Sequence, residues 1–129
     1  MSNTARLEHV NFTVIDPDAT AALLVDLFDW RVRWRGPAKD DGYTVHVGTD
    51  EDYLALYRPP TVPTGVTDAG QQVNGLNHVA LVVDDLDDIE RRVRAAGLQP
   101  FSFGDCEPGR RFYFRDADGV EFEIVSYAA

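Results

Sequence analysis

The sequence predicts an α+β protein built from two tandem βαβββ modules. They span residues 5–58 and 74–127, with a linker at 59–75, in a single domain of 129 residues. Three observations predict this. An internal repeat divides the chain, each repeat opens with a period-two strand run into a capped helix, and three short β-rich runs follow each helix.

The repeat is direct. LEHVNFTVIDPD at 7–18 and LNHVALVVDDLD at 76–87 are identical at six of twelve positions, at an offset of 69. Unrelated segments would share about one. The identical pairs are Leu7/Leu76, His9/His78, Val10/Val79, Val14/Val83, Asp16/Asp85 and Asp18/Asp87. A repeat longer than half the chain is a duplication and not a solenoid.

In the first module, Leu7 to Ile15 alternates as a half-buried strand. Asp16-Pro17-Asp18 supplies a helix cap and a proline at the first helical position. Leu23, Leu24, Leu27 and Phe28 form the apolar stripe of that helix. Strands follow at Arg31–Arg35, Tyr43–Val47 and Tyr53–Arg58, punctuated by Gly36-Pro37 and an acidic turn at Asp50. The second module repeats the order. Its strand is Leu76–Val83, and its helix runs from about Asp85 to Ala96 with Leu86, Ile89, Val93 and Ala96 inward and Gly97 as the stop. Acids crowd the start of that helix and arginines its end, a solvated face that complements the helix dipole. Strands then fall at Gln99–Phe103, Arg111–Phe114 and Val120–Tyr127. The linker carries Pro59, Pro60, Pro63, Gly65, Gly70 and Gly75 and has no periodicity; it spans the modules or covers a site.

Composition excludes several classes. With 22 acids against 12 bases the net charge is −10, which disfavours a nucleic-acid backbone or an anionic membrane surface. The longest apolar runs fall far short of the ~18 residues of a membrane span. The first residues lead into a strand pattern with no signal-peptide apolar region, and one cysteine, Cys106, allows no intrachain disulfide; both favour the cytoplasm. The GDCEPGR context of Cys106 offers no paired base, so it reads as a free thiol.

Alternation sorts the strand residues into two faces. Val10, Phe12 and Val14, like Val79, Leu81 and Val83, belong under the helices. Leu7, His9, Asn11 and Thr13 point the other way, as do Leu76, His78, Ala80 and Val82. With Phe122 and Ile124 in the core, Glu123 shares the face of His78; with Leu54 and Leu56 in the core, Tyr53, Ala55 and Tyr57 share the face of His9. Aligning the last strands pairs Ala55 with Glu123 at an offset of 68. Two imidazoles and a carboxylate suit a zinc-, manganese- or iron-type ion, and three protein ligands leave positions open for substrate. His46, in YTVHVG, faces the same side and is a candidate acid or base. Asn11 flanks His9 as a substrate contact, and Tyr53, Tyr57 and Tyr113 suit an aromatic cavity lining. Trp30 and Trp34 are expected to pack at the helix–strand junction or at a subunit contact, with core packing the favoured reading.

On LEHVNFTVIDPDATAALLVDLFDW, LNHVALVVDDLDDIERRVRAAG and RRFYFRDADGVEFEIVSY, nearly the whole chain resembles the vicinal oxygen chelate superfamily. Its members include glyoxalase I, fosfomycin-resistance proteins, bleomycin-resistance proteins and extradiol dioxygenases. The resemblance implies paired modules forming a cupped mixed β-sheet with flanking helices. It implies one divalent ion (Zn, Mn, Ni or Fe) on His9, His78 and Glu123, with Ala55 at the fourth family ligand position. That alanine departs from glyoxalase I; two histidines and one glutamate agree with fosfomycin-resistance transferases and with dioxygenases. Tyr113, ten residues before Glu123, matches a tyrosine that contacts substrate or acts in catalysis in such relatives. Arg111 shares its parity and is a further substrate contact. The expectation is a metal-dependent lyase, dioxygenase or thiol transferase acting on a small oxygen-bearing organic substrate, in a homodimer. The alternative is a non-enzymatic protein that sequesters a drug or metabolite, as bleomycin-resistance members do.

Overall fold

Each half of the chain folds around its own sheet and helix. The structure is a computed structural model and describes residues 3–104 and 109–127. It divides into two compact units, one ending at Pro63 and the other starting at Thr64. Cys106 lies outside the described residues.

The first unit runs β1 (His9–Thr13), α1 (Pro17–Phe28), β2 (Arg31–Pro37), β3 (Tyr43–Gly48) and β4 (Tyr53–Arg58), with a 3₁₀ turn at Lys39–Asp41. The sheet order is β1-β4-β3-β2, with β1 parallel to β4 and the other pairs antiparallel. The second unit repeats this with β5 (Val79–Val82), α2 (Leu86–Ala95), β6 (Phe101–Gly104), β7 (Arg110–Arg115) and β8 (Glu121–Ser126), in the order β5-β8-β7-β6. The βαβββ repeat read from the sequence is therefore the architecture, as two four-stranded mixed sheets with one helix each. In both, a strand lies parallel to the last strand of its module because the helix carries the chain across the sheet before it returns.

Both helices start on the aspartates of the repeat. Asp16 Oδ1 accepts from the Ala19 amide at 3.1 Å, and Asp85 Oδ1 from the Asp88 amide at 3.0 Å. Pro17 follows the first cap, at a position where its missing N–H costs nothing. Gly97, at φ +83°, ends α2 in the left-handed region that glycine enters without strain. Ala96 caps the helix and is exposed, outside the expected stripe. On its solvent face Arg92 pairs with Asp88 and Arg94 with Glu90, one turn apart.

The first core sets Ala21, Leu24 and Leu27 of α1 against Val45 and Val47 of β3 and Leu54 and Leu56 of β4. The second sets Leu86, Ile89 and Val93 of α2 against Phe112, Phe114, Phe122 and Ile124. The helix of the first unit lies chiefly across β3, then β4 and β2. Val10 on the edge strand β1 is consequently 38% exposed rather than packed under α1, whereas Val14, at the end of that strand, is buried. Strand β6 is shorter than expected and irregular. Its register with β7 shifts between Phe101 and Gly104, and Ser102 takes a positive φ.

Candidate functional site

Equivalent strand registers place the candidate side chains on one face of each sheet, opposite its helix. In the first unit Asn11 pairs with Ala55, Ala55 with His46, and His46 with Trp34, across β1, β4, β3 and β2. In the second, Ala80 pairs with Glu123, Glu123 with Tyr113, and Tyr113 with Phe101, across β5, β8, β7 and β6. The two rows correspond strand for strand. Ala55 stands at the place of Glu123, as the offset of 68 predicted, and His46 stands at the place of Tyr113. The ten-residue spacing of Tyr113 and Glu123 is that of cross-strand partners either side of a tight turn. Asp116 holds this turn by accepting from the Asp118 and Val120 amides, each at 2.9 Å, and Gly119 takes φ +86°.

His78 immediately precedes β5, on the face of Ala80. Its Nε2 lies 3.0 Å from Oε1 of the buried Glu123. Its Nδ1 lies 2.7 Å from Oδ1 of Asn77, whose own Nδ2 donates to the Gly70 carbonyl at 3.3 Å. That last bond fixes which way the Asn77 amide points. Asn77 Oδ1 is then an acceptor, so His78 Nδ1 carries a proton and donates to it. At 3.0 Å, His78 Nε2 and Glu123 Oε1 are within ordinary hydrogen-bond distance, and an imidazole nitrogen beside a carboxylate oxygen is also a donor pair of the kind divalent transition metals take. The donor set thus fits a divalent ion, with Asn77 orienting the imidazole from behind. The other carboxylate oxygen, Glu123 Oε2, accepts from Arg111 Nη1 at 2.7 Å. Tyr113 meets the His78 ring edge-on at 5.9 Å and stacks on Phe101, over which the Arg115 guanidinium lies at 4.5 Å.

The first unit presents His9 in a matching way. Its Nδ1 contacts Glu8 Oε1 at 2.8 Å, and Glu8 is the repeat counterpart of Asn77. The hydrogen bond to His9 holds the Glu8 carboxyl below the usual carboxylate range. His9 stacks on Tyr53 at 4.9 Å, Tyr53 on His46 at 4.7 Å, and His46 meets Trp34 at 5.4 Å. The Arg33 guanidinium covers the Tyr53 ring at 4.3 Å. Burial, then the charges of His9 and Arg33, hold His46 below the ordinary histidine value, so its ring is neutral near pH 7. Asn11 lies in the same row and is exposed. Tyr57 shares the face but donates its hydroxyl to the Lys39 carbonyl at 2.9 Å. Trp34 is 49% exposed, not core as expected, because it lies on the face opposite α1; Trp30 does pack on Phe28 at the helix end, 5.4 Å away.

The structure thus brings together His78, Glu123, Arg111 and Tyr113 in one unit, and His9, His46 and Asn11 in the other. Among the described residues no three His, Cys, Asp or Glu side chains come together as a group that could hold a metal ion. Sequence reasoning missed Glu8 and Asn77 as partners of the histidines, although a polar residue precedes the histidine in both repeats. It also missed the Arg111–Glu123 ion pair, which only the β7–β8 register reveals. Among the described residues no helix is long and apolar enough to cross a membrane.

Comparison with known proteins agrees with this architecture. No curated protein matches the chain by sequence. A glyoxylase/bleomycin resistance protein/dioxygenase domain from Frankia sp. EAN1pec superposes with a TM-score of 0.82 at 24% identity, covering 96% of this chain and 93% of that one. The fosfomycin resistance protein FosX from Listeria monocytogenes gives 0.70 at 19% identity, covering 94% and 92%. TioX from Micromonospora sp. ML1 gives 0.68 at 24% identity, covering 95% and 99%. The family model described as Glyoxalase/Bleomycin resistance protein/Dioxygenase superfamily matches residues 6–124, and the chain belongs to that superfamily.

Proposed function

We propose that the protein is a divalent-metal-dependent enzyme acting on a small, oxygen-bearing organic substrate, with His9, His78 and Glu123 as metal ligands. The observation that carries this reading is the His78–Glu123 pair, which sets an imidazole nitrogen and a buried carboxylate oxygen side by side, 3.0 Å apart, as a divalent ion's donor pair. The FosX of Listeria monocytogenes has been solved with Mn(II), which supports an ion of that kind. When bound, the ion supplies a Lewis acid for a substrate oxygen on which negative charge develops.

The chain's own residues supply the rest. Tyr113 stands beside both ligands of the second unit and donates its phenolic proton toward substrate oxygen. His46, neutral near pH 7, is a base able to accept a proton. Asn11 and Tyr57 complete the substrate contacts, while Arg111, expected as a further contact, is engaged by Oε2 of Glu123. The proposed assembly is a homodimer, with His9 supplied by the same chain or by a second copy.

A second reading is a binding protein without catalysis. It draws on the half-exposed row of rings from Trp34 through His46 and Tyr53 to His9, a platform for a flat organic ligand. Elemental analysis of the parent protein and of His78→Ala separates the two. The enzyme reading expects about one Zn, Mn, Ni or Fe per chain, lost in the variant. No metal after reconstitution with each ion would leave the binding reading.

A further inference from the structure

The two oxygens of Glu123 have different neighbours. Oε1 faces His78, and Oε2 accepts from Arg111 Nη1 at 2.7 Å. Arg111 is held for this contact by the backbone. It pairs with Val125 on β8, two residues beyond Glu123 and on the same face, so its side chain reaches the carboxylate diagonally across the strands. Its Nη2 is buried and its Nε leans toward the Gly109 carbonyl at 3.5 Å, so the guanidinium is turned into the protein.

The first unit provides an internal control. There Ala55 replaces the glutamate, and the register counterpart of Arg111 is Thr44, paired with Tyr57. Thr44 is buried and donates to the Leu56 carbonyl within its own sheet. The arginine therefore occurs in the module that has the carboxylate and is missing from the module that lacks it.

We infer that Arg111 is a positioning residue that holds Oε2 of Glu123 and so commits this carboxylate to ligate through Oε1 alone. The inference rests on the metal reading above. Arg111 acts on the ion through Glu123 and keeps a buried anion paired whether or not the ion is bound. It also confines Glu123 to one coordination position, which leaves another for substrate oxygen.

The test is a titration of the full chain with MnCl₂, followed by the electron paramagnetic resonance of free Mn(II) and by the infrared carboxylate bands. The variants are Arg111→Met, which keeps the aliphatic stem, Arg111→Lys and His78→Ala, with folding checked by circular dichroism. Arg111→Met is expected to bind Mn(II) roughly 10- to 100-fold more weakly. The separation of its metal-dependent carboxylate stretches is expected to narrow, as Glu123 turns to offer both oxygens. Arg111→Lys, with its single compact donor, is expected to regain part of the affinity. Parent-like affinity and unchanged bands in a folded Arg111→Met would overturn the inference while leaving the metal reading in place. Failure of the parent to bind Mn(II), or undiminished binding by His78→Ala, would overturn both.

Discussion

Ala55 of the first sheet and Glu123 of the second occupy the same register position. Ala55 pairs in parallel with Asn11 and Glu123 with Ala80, the counterpart of Asn11 in the repeat, and in antiparallel fashion they pair with His46 and Tyr113 respectively. One position has thus become a buried methyl and the other a buried carboxylate. Ala55 is 1% exposed, so Ala55→Glu must displace its neighbours. We expect a loss of about 1–3 kcal/mol in stability. The added carboxylate lies on the face of His9, and Zn(II) should restore more of the melting temperature in this variant than it adds to the parent. Thermal melts with and without Zn(II) check this.

Metal linkage gives a second prediction. An ion that binds only the folded chain stabilises it by about 2.7 kcal/mol at a free concentration one hundred times its dissociation constant. Mn(II) or Zn(II) should therefore raise the melting temperature of the parent, and a chelator should reverse the gain. His78→Ala and Glu123→Ala should show no such gain in calorimetric scans.

The two helix caps should behave alike. Asp16 and Asp85 each accept from the amide three residues on. Asp16→Ala and Asp85→Ala are each expected to cost about 0.5–2 kcal/mol. The caps belong to separate helices with no shared partner, so the double variant should show nearly the sum. Urea unfolding midpoints measure this.

Asp116 gives stability a pH dependence. It is buried at 8% exposure, and this burial raises its carboxyl above the ordinary value despite two accepted amide bonds. The folded state therefore holds this proton more tightly than the unfolded state. Its contribution is fully present below about pH 4 and is lost as pH rises through the folded value. Asp116→Asn keeps one oxygen for the turn and has no charge to desolvate. Its stability relative to the parent should rise between about pH 4 and neutrality, as read from denaturation midpoints across that range.

The cores should respond as closely packed cores do. Leu24 and Val93 are fully buried against their sheets. Leu24→Ala is expected to cost about 2–5 kcal/mol. Substitution of the exposed Val62 by alanine should stay within about 0.5 kcal/mol, measured in the same unfolding experiments.

Much of the fold could be read from alternation and repetition. The match of 7–18 with 76–87 predicted two modules, and Asp16 and Asp85 cap the helices where that match places them. The parity of Phe122 and Ile124 correctly put Glu123 on the face of His78. The misses share a cause. Val10 and Trp34 have the local pattern of packed residues, yet Val10 lies on the edge strand β1 and Trp34 on the face opposite α1. Strand order and the position of a helix over a sheet are long-range properties that a period of two does not encode. The Arg111–Glu123 pair joins residues twelve apart through a turn, and only the register across that turn makes them neighbours.

The Asp116–Gly119 turn therefore acts as a ruler. Its length counts out the residues that set Tyr113 opposite Glu123 and Arg111 two places along. A slip of one residue between β7 and β8 would carry every second side chain of one strand to the helix side. Tyr113 and Arg111 would then leave the face of Glu123 together, although no residue of the site had been replaced. Insertions or deletions in this turn are thus changes to the site itself, and their tolerance should track whether they preserve the pairing and not how far they lie from His78.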